Sequence, residues 1–210
     1  MRSLSLKKRV GDLLIVLGSV MDSFFKLSLD DSEFDNINGI NIIRNKERTD
    51  INDYREIFEA YYKLSDKKIY VRSLDLFIQP FKDWKEGKSS LWWQNYQGVK
   101  HNRFINKEKA TLETLLLGAG GLFLLIAIHL PSRLVLRRLD HIKTYWNKYS
   151  GHFLEQLLAK KEPVGEQSTS LEIFSIETKI FGYVYESLNP ESRDENVQKR
   201  LLALLKEPKF

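Results

Sequence analysis

Leu91-Trp92-Trp93-Gln94-Asn95-Tyr96-Gln97-Gly98-Val99-Lys100-His101-Asn102-Arg103-Phe104 sets two adjacent tryptophans ahead of an asparagine and a Lys-His-x-Arg cluster. Tryptophan is large and costly to expose, so Trp92 and Trp93 are expected to anchor the segment against a core. That anchoring would hold Asn95, Lys100, His101 and Arg103 at a protein wall. These are residue types that recognise a phosphate. Four residues, Gly87-Lys88-Ser89-Ser90, lead into the segment, and its pattern predicts a helix.

An apolar helix is predicted over residues 108–130, buried on all sides within a bundle. Its stretch 115–130 is apolar apart from His129 and contains Gly118, Gly120 and Gly121. This run is shorter than the roughly 20 residues a bilayer span needs, so no membrane segment is expected. Upstream, residues 6–29 read as a long helix. Val10, Leu13, Leu17, Val20, Phe24 and Leu27 form one apolar stripe at helical spacing. A second stripe carries Gly11, Ile15, Gly18 and Asp22, whose small residues would admit another helix closely. Thr49-Asp50 supplies helix-capping chemistry, with Asp53-x-x-Glu56 as a capping box, for a helix that runs to about residue 64. Ile57, Phe58, Tyr61 and Leu64 would be its buried side.

Residues 67–79 change character. Ile69, Tyr70, Val71 and Ile78 are β-branched or aromatic and suggest a short strand ending at Pro80. Residues 133–149 read as an amphipathic helix. Its apolar face is Val135, Leu139, Ile142, Trp146 and Tyr149, and its other face holds Arg133, Arg137, His141 and Lys148. Arg133, Arg137 and Lys148 are candidate RNA contacts, with a solvated helix face as the alternative. Residues 162–170 have linker composition, residues 171–188 stay ambiguous between helix and strand, and residues 192–206 suggest a terminal helix. The fold class expected is therefore mainly all-α, with an antiparallel bundle over residues 1–161 and a linker and C-terminal extension over 162–210.

Composition narrows the chemistry. Lys and Arg number 33 against 28 Asp and Glu, a formal net charge of +5 that permits an anionic partner without demanding one. The chain has no cysteine, which excludes disulfides, thiolate metal sites and cysteine nucleophiles and suits a reducing cytoplasm. The basic N-terminus lacks a small-residue cleavage signature, so no signal peptide is expected. His129 and His141 are twelve apart and His152 stands alone, so no metal-ligand spacing emerges. The glycines at 118–121 lie inside an apolar helix rather than after a strand, which rules out a phosphate loop. No cofactor or metal is expected.

Trp92-Trp93-x-Asn95-Tyr96-x-x-Val99-Lys100-His101-Asn102-Arg103, followed by Ala110-Thr111-Leu112 and a small-residue apolar helix, resembles the HEPN superfamily of α-helical domains. Met21-Asp22-Ser23-Phe24-Phe25-Lys26 is similar to the end of the first helix in such proteins. The resemblance spans about residues 6–149. It implies a four- to five-helix bundle that dimerises, and a metal-independent ribonuclease of a bacterial toxin, antiviral-defence or RNA-processing system, with an antitoxin or defence subunit as partner. It would make His101 the proton-transfer or phosphate-contact residue. The family's upstream arginine is absent, since Gln94, Asn95 and Tyr96 stand where it would fall.

The chemistry explains why that departure matters. Histidine can move a proton near neutral pH, and arginine offers a planar fork to phosphate oxygens. Lys100 and Arg103 would be the cationic partners of His101, and Asn95 the orienting group. Two residues apart on a helix, His101 and Arg103 point about 200° apart. They would meet only where the helix unwinds or a second subunit brings its own Arg103. Asp22 is expected to pair with His101, Lys100 or Arg103 as a structural partner. The alternative is a catalytically silent bundle using the same polar cluster for interaction and dimerisation.

Overall fold

The computed structural model describes residues 2–146 and 174–185, with side chains for 7–143 and 176–183. Its helices are α1 (Arg2–Ser28), α2 (Ile40–Arg44), α3 (Ile51–Tyr62), α4 (Leu91–His101), α5 (Leu112–Ile128) and α6 (Leu130–Arg138). Five short strands accompany them: β1 (Ile69–Val71), β2 (Leu76–Ile78), β3 (Lys143–Trp146), β4 (Phe174–Glu177) and β5 (Phe181–Tyr185). The chain is thus mostly helical with a small antiparallel sheet of order β2-β1-β5-β4-β3.

The long first helix forms as expected but turns a different face inward. Val10, Leu14, Met21 and Phe25 are buried, whereas Leu13, Val20 and Leu27 of the expected stripe are exposed. The small residues decide this rotation. A Cβ at Gly18 would lie 2.4 Å from Cδ2 and Cε2 of Tyr96, so only glycine lets α4 approach that closely. About two turns earlier, Gly11 faces Arg103 and Ala110. The second stripe is therefore the contact face.

Helix α3 starts where the sequence indicated, though its capping box is built from other residues. The Asp50 side chain accepts from Asn52 N at 2.7 Å and Asp53 N at 3.3 Å, while the Asp53 carboxylate accepts from Asp50 N at 3.0 Å. The box is therefore Asp50/Asp53, and it satisfies amides that the first turn leaves open. Ile57 and Phe58 face the core. There Phe25 stacks on Tyr54 at 5.1 Å between centroids and meets Phe58 edge-on at 4.9 Å.

Trp92 and Trp93 anchor α4 as expected. Both are buried, and the Trp92 indole N–H donates to the Pro80 carbonyl at 2.8 Å. Thr111 caps α5 by accepting from Thr114 N at 3.0 Å. Helix α5 runs through the interior to His129, where the chain bends 96° into α6. Among the described residues no single helix is long and apolar enough to cross a membrane.

The extended reading of residues 67–79 corresponds to β1 and β2, which pair antiparallel with Ile69 opposite Ile78. The amphipathic helix expected over 133–149 is corrected. It stops at Arg138, Asp140 takes a left-handed φ of 56°, and Lys143–Trp146 continues as strand β3. Thr144, Tyr145 and Trp146 are β-branched or aromatic, which favours a pleated strand over a helix. Strand β5 pairs with both β1 and β4, so residues 174–185 join a sheet begun near residue 69. The sheet lies against α5, where Phe123 stacks on Phe181 at 5.5 Å.

Candidate functional site

The C-terminal end of α4 and the turn after it gather most of the residues singled out by sequence. His101 is the last residue of the helix and its ring is exposed. Lys100 is also exposed, with Nζ 5.4 Å from the Tyr96 ring centroid, a cation over an aromatic face. Beyond the helix, Arg103 leans back across α1. Its Nη1 lies 2.6 Å from Asp12 Oδ1, and its Nη2 donates to the Lys8 carbonyl at 2.6 Å. The Arg103 hydrogen bond holds the Asp12 carboxyl below the usual carboxylate range.

The local backbone explains this divergence. Asn102 N bonds Gly98 O, and Asn106 donates its side-chain amide to both Gly98 O (2.9 Å) and Asn102 O (3.0 Å). The turn is thereby folded under the helix end, and Arg103 points to α1 while His101 points to solvent. Gly98 lets this happen, because Lys109 packs over it with Nζ 3.1 Å from where a Cβ would stand. Lys7 closes the corner with Glu108 at 2.6 Å.

The tip of the turn is the most exposed apolar feature described. Phe104 is 91 % exposed and Ile105 77 %, flanked in sequence by Arg103 and Lys107.

Asn95 lies elsewhere. It is on the α5-facing side of α4, donating to Thr114 Oγ1 at 3.1 Å, where Thr111 Oγ1 also donates at 2.9 Å. That chain joins α4 to α5 at the α5 cap. Asp22 is half-buried ten residues beyond Asp12, about 15 Å further along α1, and so sits far from His101. Its charge adds to the effect of burial in pushing the Tyr54 phenol up. The acid that meets the cluster is Asp12. Of the three basic residues proposed for RNA, Arg133 is buried and donates to the Ala127 carbonyl at 3.1 Å, Arg137 is exposed, and Lys148 lies outside the described residues.

A second polar group was not anticipated from spacing. His129, at the corner between α5 and α6, meets Asp31 and Glu33 from the chain that follows α1. Its Nε2 lies 2.8 Å from Asp31 Oδ2 and 3.7 Å from Glu33 Oε1. Its Nδ1 lies 2.7 Å from Ser132 Oγ, and Tyr62 donates its phenol hydrogen to Glu33. A buried-helix histidine followed by Pro131 was the only hint in the sequence, since the acids are about one hundred residues away.

No family model, curated protein or solved structure matches this chain. At the α4 end, one histidine able to transfer protons, several cations and an open aromatic ring share a corner with α1. A single chain does not present His101 and a free Arg103 fork to one phosphate.

Proposed function

We propose that the chain is an RNA-targeting helical protein that takes single-stranded RNA on the corner formed by the α4 end, the 102–109 turn and the start of α1. The observation that carries this reading is Phe104, 91 % exposed and next in sequence to the run Lys100-His101-Asn102-Arg103. An open aromatic ring offers a base a stacking platform, and neighbouring cations attract the phosphates. His101 is the proton-transfer group in a metal-independent cleavage of RNA, in keeping with the HEPN resemblance. Arg103 is held by Asp12, so cleavage needs the phosphorane to be met by a second copy's cations or by release of Arg103 onto the phosphate. The bacterial defence or toxin setting, an antitoxin partner and a cytoplasmic home rest on the resemblance and the cysteine-free composition.

A second reading is a catalytically silent interaction module. The Arg103–Asp12 pair favours it, as does the exposed run Leu13, Val16 and Val20 on α1, which would suit a homodimer contact.

The two separate by experiment. Wild type, Phe104→Ala and His101→Ala are titrated with a fluorescent RNA oligonucleotide, then incubated with mixed RNA and chelator. Phe104→Ala is expected to weaken binding about tenfold, since stacking on one base is worth about 1–3 kcal/mol. His101→Ala is expected to retain binding, lose products ending in 2′,3′-cyclic phosphate, and melt within about 1 °C of wild type, because its ring is exposed. RNA bound equally by wild type and Phe104→Ala would remove the RNA reading. Binding without cleavage by wild type would leave the silent module.

A further inference from the structure

We infer that Asp31, Glu33 and His129 form a binding site for a divalent first-row transition-metal ion, at the opposite end of α1 from the RNA corner. Lys8 and Ser28 are twenty residues apart, so the two places are separated by about 30 Å of helix.

The donor geometry is the first support. Zinc holds imidazole nitrogen and carboxylate oxygen at about 2.0–2.2 Å, which sets neighbouring tetrahedral ligands about 3.3 Å apart. The distances from His129 Nε2 to Asp31 Oδ2 and Glu33 Oε1, 2.8 and 3.7 Å, bracket that spacing. One ligand atom from each of the three residues lies within 4.8 Å of the other two. Charge is the second support. With both carboxylates ionised the trio is net negative whether the imidazole is neutral or protonated, a balance that a divalent cation meets. Arg44, close by, directs its guanidinium to Asp35 Oδ1 (2.8 Å) and to the Leu29 and Asp31 carbonyls (2.6 and 2.9 Å).

The surroundings of the ligands are the third support, and they come from different elements. Nε2 is within hydrogen-bond distance of Asp31 Oδ2, so an ion takes the place of the proton shared there, and an Nδ1–H donated to Ser132 Oγ at 2.7 Å keeps the ring oriented. The Phe24 ring meets the imidazole edge-on at 5.3 Å and fixes its plane. Tyr62 orients the Glu33 carboxylate by donating to Oε1. His129 and Glu33 have side chains only 6 % and 7 % exposed, while Asp31 is 35 % exposed, so solvent reaches a fourth position from the Asp31 side. Three protein ligands and an open position match the pattern of a site that keeps a bound water. The imidazole donor selects zinc, iron, nickel or copper over magnesium, calcium or manganese.

The test uses the full chain stripped with chelator and then dialysed. Zn²⁺ is titrated by calorimetry, melting is followed with and without Zn²⁺ or Mg²⁺, and the Co²⁺-loaded protein is examined by visible absorption. The expected result is saturable Zn²⁺ binding, a Tm rise of about 5 °C at saturating ion, little response to Mg²⁺, and a Co²⁺ spectrum of low coordination number. Asp31→Asn, at the solvent side of the trio, is expected to weaken Zn²⁺ at least tenfold, and Ser132→Ala by a smaller factor. No heat and no Tm change with wild type would overturn the site, and so would Asp31→Asn binding as tightly as wild type, because the ion would then lie elsewhere. Should Asp31→Asn fail to fold, the wild-type Co²⁺ spectrum decides: an unchanged hexaaqua spectrum overturns the proposal.

Discussion

Gly18→Ala tests how closely α1 and α4 are joined. On an isolated helix the change should help, because alanine is favoured over glycine by about 1 kcal/mol. Here the new methyl would sit 2.4 Å from Tyr96 Cδ2 and Cε2 and 2.6 Å from Cγ, where carbon atoms prefer about 3.5–4.0 Å. The ring has nowhere to go. Tyr96 is fully buried and packs edge-on against Trp93 at 5.1 Å. Relief needs α4 to shift by about 1 Å, and forced overpacking of this kind costs about 1–3 kcal/mol beyond any propensity gain. The net expectation is a loss of about 1–3 kcal/mol, or about 3–9 °C in Tm for a chain of this size. Gly11→Ala is the milder comparison, because its Cβ would meet Arg103 Nη2, the nitrogen held by the Lys8 carbonyl, at 3.3 Å and the Ala110 methyl at 3.7 Å. That variant should stay within about 0.5 kcal/mol of wild type, its propensity gain offset by a small shift of the guanidinium. Both are measured by denaturant titration with a common slope. Gly18→Ala equal to or more stable than wild type would refute the close-packing argument, whatever Gly11→Ala does.

Two more expectations follow from buried polar groups. Burial alone would raise the Asp53 carboxyl, but hydrogen bonds from Lys46 and the Asp50 amide outweigh it and hold it below the usual range. Its folded pKa is thus under the unfolded value near 3.9, so its stabilisation is complete above that pH and is lost as pH falls through the folded value. Asp53→Asn should therefore cost about 1 kcal/mol at neutral pH and less in acid, and pH-dependent melting checks the convergence. Trp92→Phe leaves the Pro80 carbonyl without its 2.8 Å donor in a buried place, for an expected loss of about 1–3 kcal/mol in the same titration.

Local features were the more legible ones. The tryptophan pair was readable as an anchor because burying so much apolar surface leaves little choice, and the Asp50 cap followed from side-chain chemistry next to a helix start. The glycines of α1 are readable as a contact face, yet the larger apolar stripe with Leu13 and Val20 is the stronger periodic signal. Hydrophobic periodicity reports where apolar side chains lie; it does not report how near a neighbour's backbone can come. Strand β3 was hidden because its partner is remote, with Lys143 opposite Glu177. Strands β4 and β5 form a local hairpin in a stretch the sequence leaves open between helix and strand, and only the pairing of β5 with β1 is distant, with Val71 opposite Phe181. The His129–Asp31 contact spans 98 residues and was invisible to any reading by spacing. The Arg103–Asp12 pair was obscured in a similar way, since only the turn after α4 aims that guanidinium at α1.

Helix α1 also has an electrical consequence. Its 27 residues extend about 40 Å, with Lys7, Lys8 and Arg9 toward one extremity and Asp30, Asp31, Glu33 and Asp35 just past the other. These side chains therefore lay a charge moment along α1, in the same sense as the helix's own dipole. A polyanion approaching by diffusion is turned toward the lysine-bearing pole and repelled by the opposite one before any contact forms. Raising the ionic strength shortens the reach of that torque to a few ångströms, so encounters would lose their preferred orientation while the packed interior stays the same.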